Sequence, residues 1–290
     1  MKEYLLKEAM DMPDVNFPIK IRKYDCTSNR NIFSLHWHEH LEILFFLDGS
    51  AIIECDDTTF EAKKGDVLIV NSNQFHSGKT LGSNVSYYCL IVNLSLVESA
   101  NNDKCQKKYI DPILQNTVTF QNMLFQDQEA SLIIKKILSE YNAKETAYEL
   151  AIKSLIFQLF ILLFRGEKIN VLTLEQAMNR KKNSKRIRKV LEYIQQNYTQ
   201  DISLSEICLH LNISLYHFCR LFKKFTNQTF IEYLRDFRIA RAENLLLNTD
   251  MNINEIAQAV GFSDSNYFSR IFKKIKKITP TEMSKNKSLE

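Results

Sequence analysis

Two domains of different class are predicted for this chain: an N-terminal, mainly-β barrel followed by linker helices, and a C-terminal all-α domain with two helix-turn-helix units. Three observations carry the prediction. Short apolar β-type runs separated by turn pairs fill residues 18–95; a 3.6-residue periodicity takes over from about residue 127; and one helix-turn-helix pattern is written twice between Asp201 and Ser284. The 290 residues suit two domains of the usual ~100 to 200 residues.

After an N-terminal arm, 1–17, the segments Leu41–Leu47, Ala51–Cys55, Thr58–Ala62, Asp66–Val70 and Val85–Val92 read as strands. Asp48-Gly49, Asp56-Asp57 and Lys64-Gly65 supply the turns between them. Closely spaced antiparallel strands of this kind favour a barrel or jelly roll. Strand alternation places His36, His38, His40 and Glu42 on one face and turns Trp37 to the other, where packing is its expected role. With His76 they offer imidazole and carboxylate donors, a set that suits zinc, iron or manganese in principle.

Residues 96–165 form a helical connector in which Asp127–Tyr141 and Glu145–Phe164 are the helices. Leu132, Ile133, Lys136, Ile137 and Tyr141 share one face of the first. The second is apolar around most of its circumference, so it must be covered by the barrel, by its neighbour or by a second copy of the chain. A tether is expected over 166–183, ending in the basic run Arg180–Arg186. The last domain, 184–285, opens with a helix whose apolar face is Ile187, Val190, Leu191 and Ile194.

The two helix-turn-helix copies match in register. Each opens with a capping box, Ser203 to Glu206 and Asn252 to Glu255, in which the cap and the third-position Glu satisfy orphan helix donors. The first helices bury Leu204, Ile207, Cys208 and Leu211, or Ile253, Ile256, Ala257 and Val260. Asn212 and Gly261, types that enter the left-handed region cheaply, stop them. Second helices, capped by Ser214 and Ser263, bury Phe218, Leu221, Phe222 and Phe225, or Phe268, Ile271, Phe272 and Ile275. Between the copies, Thr229 and Glu232 cap a longer helix to about Leu247, and Thr279 with Glu282 repeats that cap.

The other face of the second helices carries Tyr216, Cys219, Arg220, Lys223 and Lys224 in copy one and Asn266, Ser269, Arg270, Lys273 and Lys274 in copy two. Arginine matches guanine edges with two donors, asparagine does the same for adenine, and lysines neutralise phosphates. Charge agrees: residues 184–290 hold 17 Lys+Arg against 11 Asp+Glu, whereas the first 183 carry a net −2 of the chain's total +4.

Residues Ala257 to Pro280, AxxVGFxDxxYFSRxFKKxxxxTP, together with FCRLFKK…TFIEYLRDFRIARAENLL of copy one, resemble the AraC/XylS transcriptional regulators over roughly the last hundred residues. Asn227 and Lys277 stand where that family usually has Gly. His36-x-His38-x-x-x-Glu42 followed by Gly49 resembles the first motif of the family's cupin sensor domain, and Gly65 to His76 the second. The resemblance implies promoter DNA, RNA polymerase and a small-molecule effector such as a sugar or related metabolite as partners, homodimerisation through the connector helices, activation, and an N-terminal arm that moves. Asn71 and Asn73 replace the Pro and Gly of the second motif, and Thr80 its final Asn. The expectation is therefore a metal-free effector pocket lined by His36, His38, His40, Glu42 and His76, with no cofactor and no catalytic residue. The alternative from another class is a metal-dependent cupin enzyme with an appended helical module.

Six cysteines without a C-x-x-C pair, two of them in the first helix-turn-helix, fit a reduced cytoplasmic protein. They also lack the closely spaced cluster that a fused DNA-repair methyltransferase needs. The charged N-terminus is no secretory signal, and the longest apolar run, Leu155–Phe164, falls short of the ~20 residues of a membrane span.

Overall fold

A computed structural model describes residues 7, 11–27, 31–101 and 103–286. Its contacts divide the chain into two compact units, Met1–Lys182 and Asn183–Glu290. Most of the arm assigned to motion, residues 1–6 and 8–10, lies outside the described residues.

The first unit is built on two antiparallel sheets. Eight strands supply most of it: β1 Ile19–Cys26, β2 Asn31–His36, β3 Leu41–Asp48, β4 Ser50–Cys55, β5 Thr58–Lys63, β6 Val67–Val70, β7 His76–Thr80 and β8 Val85–Val92. Beyond the short helix α1, Asp111–Leu114, come β9 Val118–Phe120 and β10 Met123–Leu124. One sheet runs β1-β8-β3-β6-β10 and the other β2-β7-β4-β5.

Alternation along β3 explains the layers. Leu44 and Phe46 join Ala51, Ile53, Leu68, Val70, Tyr87 and Ile91 in the interior between the sheets. Leu41, Ile43 and Phe45 face the other way, into a second core with α2, Gln128–Ala143, and α3, Tyr148–Arg165. A strand covered on both faces reads as one continuous apolar run, and LEILFFL does. Of the three covers considered for α3, the sheet and its neighbour α2 account for Ile152, Leu155, Ile156, Leu159, Phe160 and Leu163.

Four expectations are corrected. β1, β2 and β7 are additional strands; β7 is hidden in sequence because its inward residues are His76, Gly78 and Thr80. A Cβ at Gly78 would sit 2.8 Å from the Phe33 ring and 2.9 Å from Ile53 Cδ1, so the missing side chain makes room for those of its partners on the two flanking strands, β2 and β4. The buried face of α2 is Ile133, Ile134, Ile137 and Leu138, with Leu132 outside it and exposed. The segment 166–183 is not a free tether. Its β11, Ile169–Val171, pairs with β9, and α4, Leu174–Asn197, begins before the basic run. Thr173 and Gln176 cap that helix reciprocally, Thr173 N–H to Oε1 at 2.9 Å and Gln176 N–H to Oγ1 at 3.2 Å.

In the second unit α4 buries Ile187, Val190, Leu191 and Ile194. The paired helices are α5 Leu204–Leu211 with α6 Leu215–Thr226, and α8 Ile253–Ala259 with α9 Ser265–Lys276. α7, Phe230–Asn248, lies between them in sequence, and α10, Pro280–Asn286, follows. Full capping boxes hold the starts of α7 and α8. The fourth correction is at α9, whose N-cap is Asp264 rather than Ser263: the carboxylate accepts from Asn266 N–H at 2.8 Å.

Candidate functional site

The first candidate lies at one end of the sandwich. β2 ends at His36, which pairs directly with His76 at the start of β7, and their ring centroids are 4.0 Å apart. The chain then leaves the sheet. His38 and His40 sit in the bend before β3 rather than on one continuous strand with His36 and Glu42. Asn73 N–H fixes the bend by donating to His38 O at 2.8 Å, and Ser72 Oγ donates to Glu39 O at 2.6 Å. The bend returns the His38 ring to Glu42, four residues on.

The result is a buried cluster of His36, His38, Glu42 and His76, whose ligand-type atoms all lie within 4.8 Å of one another. His40 is not in that group and is half-buried; burial and the neighbouring His38 push its pKa down. Glu42 Oε2 lies 2.8 Å from His38 Nε2 and 2.9 Å from His76 Nε2, while the Cys89 thiol donates to Oε1 at 3.0 Å. The opposite ring nitrogens are committed: His36 Nδ1 to Ser34 O at 2.8 Å, His38 Nδ1 to His40 O at 3.1 Å and His76 Nδ1 to Gln74 O at 3.0 Å. Carbonyls only accept, so each Nδ1 carries the proton and each Nε2 presents a lone pair.

Burial on its own would raise the Glu42 pKa. The neighbouring His76 and His38 imidazoles outweigh it and hold the carboxyl well below its usual range. Burial and His36 push His76 down to about 4.

The residues that looked like drift in the second motif lie outside the cluster. Asn71 is a pin: Nδ2 donates to Phe120 O at 2.8 Å, and Phe120 N–H donates to Oδ1 at 2.7 Å. Asn73 takes a left-handed φ of 66° to hold the bend, and Thr80 pairs with Ala51 at the far end of β7. Their departures say nothing about the donor set.

Sequence reasoning missed Cys89, although Glu42 pairs with Ile91 across β3 and β8, which places residue 89 diagonally on the same face. It also missed Asp56. Asp56 accepts from Phe75 N–H at 3.2 Å and from Arg180 of α4 at 2.8 Å, next to Cys55, the cross-strand partner of His76. Burial raises the Asp56 pKa against the opposing pull of Arg180.

The second candidate is the outer face of α6 and α9. Tyr216, Cys219, Arg220, Lys223, Lys224, Asn266, Arg270, Lys273 and Lys274 are exposed, with Ser269 half-buried. Phe218, Leu221, Phe222 and Phe225 anchor α6 from behind, and Phe268 and Phe272 anchor α9. Ser214 caps α6 through His217 N–H at 3.2 Å. Both helices end on left-handed residues, Asn227 at φ 56° and Lys277 at φ 66°, so Lys277 occupies the position where glycine is usual. The Arg270 guanidinium stands 5.5 Å from the Tyr267 ring centroid.

A β sandwich with a buried polar centre, joined in one chain to paired helix-turn-helix units bearing arginine and lysine, defines a ligand-responsive DNA-binding regulator. The comparisons agree. Residues 20–160 match the AraC-like ligand binding domain, and 207–286 match a helix-turn-helix domain family. An uncharacterized HTH-type transcriptional regulator of Bacillus subtilis (strain 168), YdeC, is 28% identical over 291 residues, covering 98% of this chain and 97% of its own. The HTH-type transcriptional activator RhaR of Mannheimia succiniciproducens is 27% identical, covering 86% of each chain. The activator RhaS of the same organism is also 27% identical, covering 88% of this chain and 90% of its own. The chain belongs to the AraC/XylS family of transcriptional regulators. Among the described residues no helix is long and apolar enough to cross a membrane.

Proposed function

We propose that this regulator is a cytoplasmic transcriptional activator without catalytic activity, binding promoter DNA as a homodimer under control of a small molecule taken up at the His36, His38, Glu42, His76 end of the sandwich. The observation that carries the DNA reading is the repeated placement of Arg220 and Arg270 on exposed faces of helices whose opposite faces are buried phenylalanines. Two relatives are activators by name, which supports activation through RNA polymerase. All three compared relatives are regulators, so the enzyme alternative is not favoured. A stripe of Leu150, Phe157 and Ile161 on α3, with Leu150 and Ile161 exposed, supports pairing of two copies through the connector helices. A sugar or related metabolite is the effector class the resemblance favours. Control requires the effector to bind with different free energy in two arrangements of the protein, since a ligand indifferent to them shifts nothing.

Binding titrations on operators mapped across the source genome test the reading. Arg220→Ala or Arg270→Ala should each cost about 1–3 kcal/mol and relax preference at one base position, whereas Lys274→Ala should weaken all sequences alike and flatten the salt slope. Full sequence preference in both arginine variants overturns the assignment of α6 and α9 as reading helices.

A further inference from the structure

We propose that the ion pair between Asp56 and Arg180 couples the effector site to α4, so that occupancy of the cluster of His36, His38, Glu42 and His76 changes how the start of that helix is held and thereby changes operator affinity. The coupling rests on the reading of the cluster as the effector site. Both partners of the ion pair belong to the first unit.

Two sets of hydrogen bonds lead from one segment, residues 71–76, to the start of α4. The first begins at His76. Its Nδ1–H donates to Gln74 O at 3.0 Å, so a molecule that draws on Nε2 pulls the 74–76 backbone along with the ring. Phe75 lies between these residues, is fully buried, and exchanges two bonds with Asp56: Asp56 N–H to Phe75 O at 2.8 Å, and Phe75 N–H to Asp56 Oδ1 at 3.2 Å. The other carboxylate oxygen, Oδ2, accepts from Arg180 Nη2 at 2.8 Å. The second set begins at Asn71, whose amide grips Phe120 of β9 on both its N–H and its carbonyl. Phe120 pairs with Ile169 of β11, and Leu172 N–H donates to Thr117 O at 2.8 Å just before the Thr173 cap. The first turns of α4 are therefore held at two points, and both lead back to the segment that carries His76.

The Arg180 contact is the one built to switch. Arg180 is 36% exposed and finds water on release, whereas Asp56 is 8% exposed and depends on its protein partners. A hydrogen bond of 2.8 Å is lost beyond about 3.5 Å, and a buried carboxylate deprived of its cation is costly, so half-open separations are disfavoured. What moves Asp56 decides the state, and Phe75 moves Asp56. α4 itself runs from Leu174 to Asn197 and buries Ile187, Val190, Leu191 and Ile194 in the second unit, so the helix that Arg180 anchors is also part of the DNA-binding unit.

Arg180→Gln and Asp56→Asn in the full-length protein test the pair. Asparagine, like aspartate, accepts the φ of 50° at residue 56, so the turn is kept while the charge is removed. In Arg180→Gln, amide hydrogen exchange should rise about fivefold or more over 174–182 and also over 71–76, with 187–194 unchanged. Each variant should shift operator affinity about fivefold in the same direction, with no further change when the two are combined, and Arg180→Lys should restore most of the parent's value. His76→Gln perturbs the cluster end: it should change exchange over 174–182 and operator affinity in the parent, but not in Arg180→Gln. If far-UV circular dichroism shows that His76→Gln does not fold, the Arg180 and Asp56 variants decide alone. Unchanged exchange over 71–76 in Arg180→Gln overturns the coupling, because a pair that merely anchors α4 loosens 174–182 alone. Additive effects of Arg180→Gln and Asp56→Asn on operator affinity overturn it too. If His76→Gln shifts operator affinity equally with and without Arg180, the cluster still controls DNA binding and the ion pair alone fails. If it shifts neither exchange nor affinity in the folded parent, the effector-site reading fails and the coupling with it.

Discussion

The two helix-turn-helix copies solve one turn in two ways. α5 ends on Asn212 at φ 50°, and α8 passes through Val260 to Gly261 at φ 88°. Both need the left-handed region, but only the second is also crowded. A Cβ at Gly261 would stand 2.8 Å from Tyr198 O and 2.9 Å from Thr199 O. Arg238 holds that segment in place, donating through Nε to Tyr198 O at 2.7 Å and through Nη2 to Gln200 O at 2.8 Å. Repeated sequence therefore does not mean repeated constraint. Copy one meets its turn with a residue type that tolerates the conformation, whereas copy two must also leave room for a neighbouring backbone.

The largest expected effect tests that difference. Gly261→Val combines left-handed strain with collision against two carbonyls that cannot rotate away, and should destabilise the second unit by about 3 kcal/mol or more. Asn212→Val meets the strain without that collision and should cost about 1–2 kcal/mol. Urea unfolding of the full-length variants by far-UV circular dichroism measures this, with Trp37 fluorescence as an internal control on the first unit. Equal losses at the two positions would remove the role given to Tyr198 and Thr199.

A smaller effect of opposite sign is expected one turn later. α6 ends on Asn227 and α9 on Lys277, both left-handed, but asparagine enters that region more readily than lysine does. Lys277→Gly should stabilise the second unit by about 1 kcal/mol, whereas Asn227→Gly should be near neutral. The same unfolding measurement checks both. A Lys277→Gly variant no more stable than its parent would mean that the lysine side chain compensates for its conformation.

The second unit was largely legible in the sequence because its determinants are local. Ser203 takes Glu206 N–H, Ser214 takes His217 N–H, and Thr229, Asn252 and Thr279 each exchange bonds with a Glu three residues on. The buried stripes follow a single helical period. In the first unit the important contacts are long-range. His38 is set by the N–H of Asn73 and Glu42 by the thiol of Cys89, and β7 lacks the apolar residues that would mark it as a strand. Strand alternation put His36, His38 and Glu42 together for the wrong reason, since a bend rather than a strand brings His38 to Glu42. The start of α4 was missed because residues 174–183 carry charge instead of an apolar stripe; the Thr173 and Gln176 cap was the available signal.

The smallest difference lies on the DNA-facing side. In copy two the Tyr267 ring lies 5.5 Å from the Arg270 guanidinium, whereas the corresponding ring in copy one is that of His217, with Arg220 three residues on. A guanidinium over an exposed tyrosine gains about 0.5–1 kcal/mol and loses rotamer freedom before any partner arrives. An arginine held in this way surrenders less entropy when it meets a guanine edge, provided the ring contact survives in the complex. Tyr267→Ala should then lower operator affinity by roughly two- to fivefold, the equivalent of 0.5–1 kcal/mol. Tyr267→Phe, which keeps the π face, should bind as the parent does, and His217→Ala should change affinity less than Tyr267→Ala. The loss should be selective: greatest at the base position read by Arg270, unchanged in salt slope, and absent when Arg270 is already alanine. A double-mutant cycle in which Tyr267→Ala costs the same with and without Arg270 would show the ring acting on the helix or on DNA directly, and the two copies would then present their arginines alike.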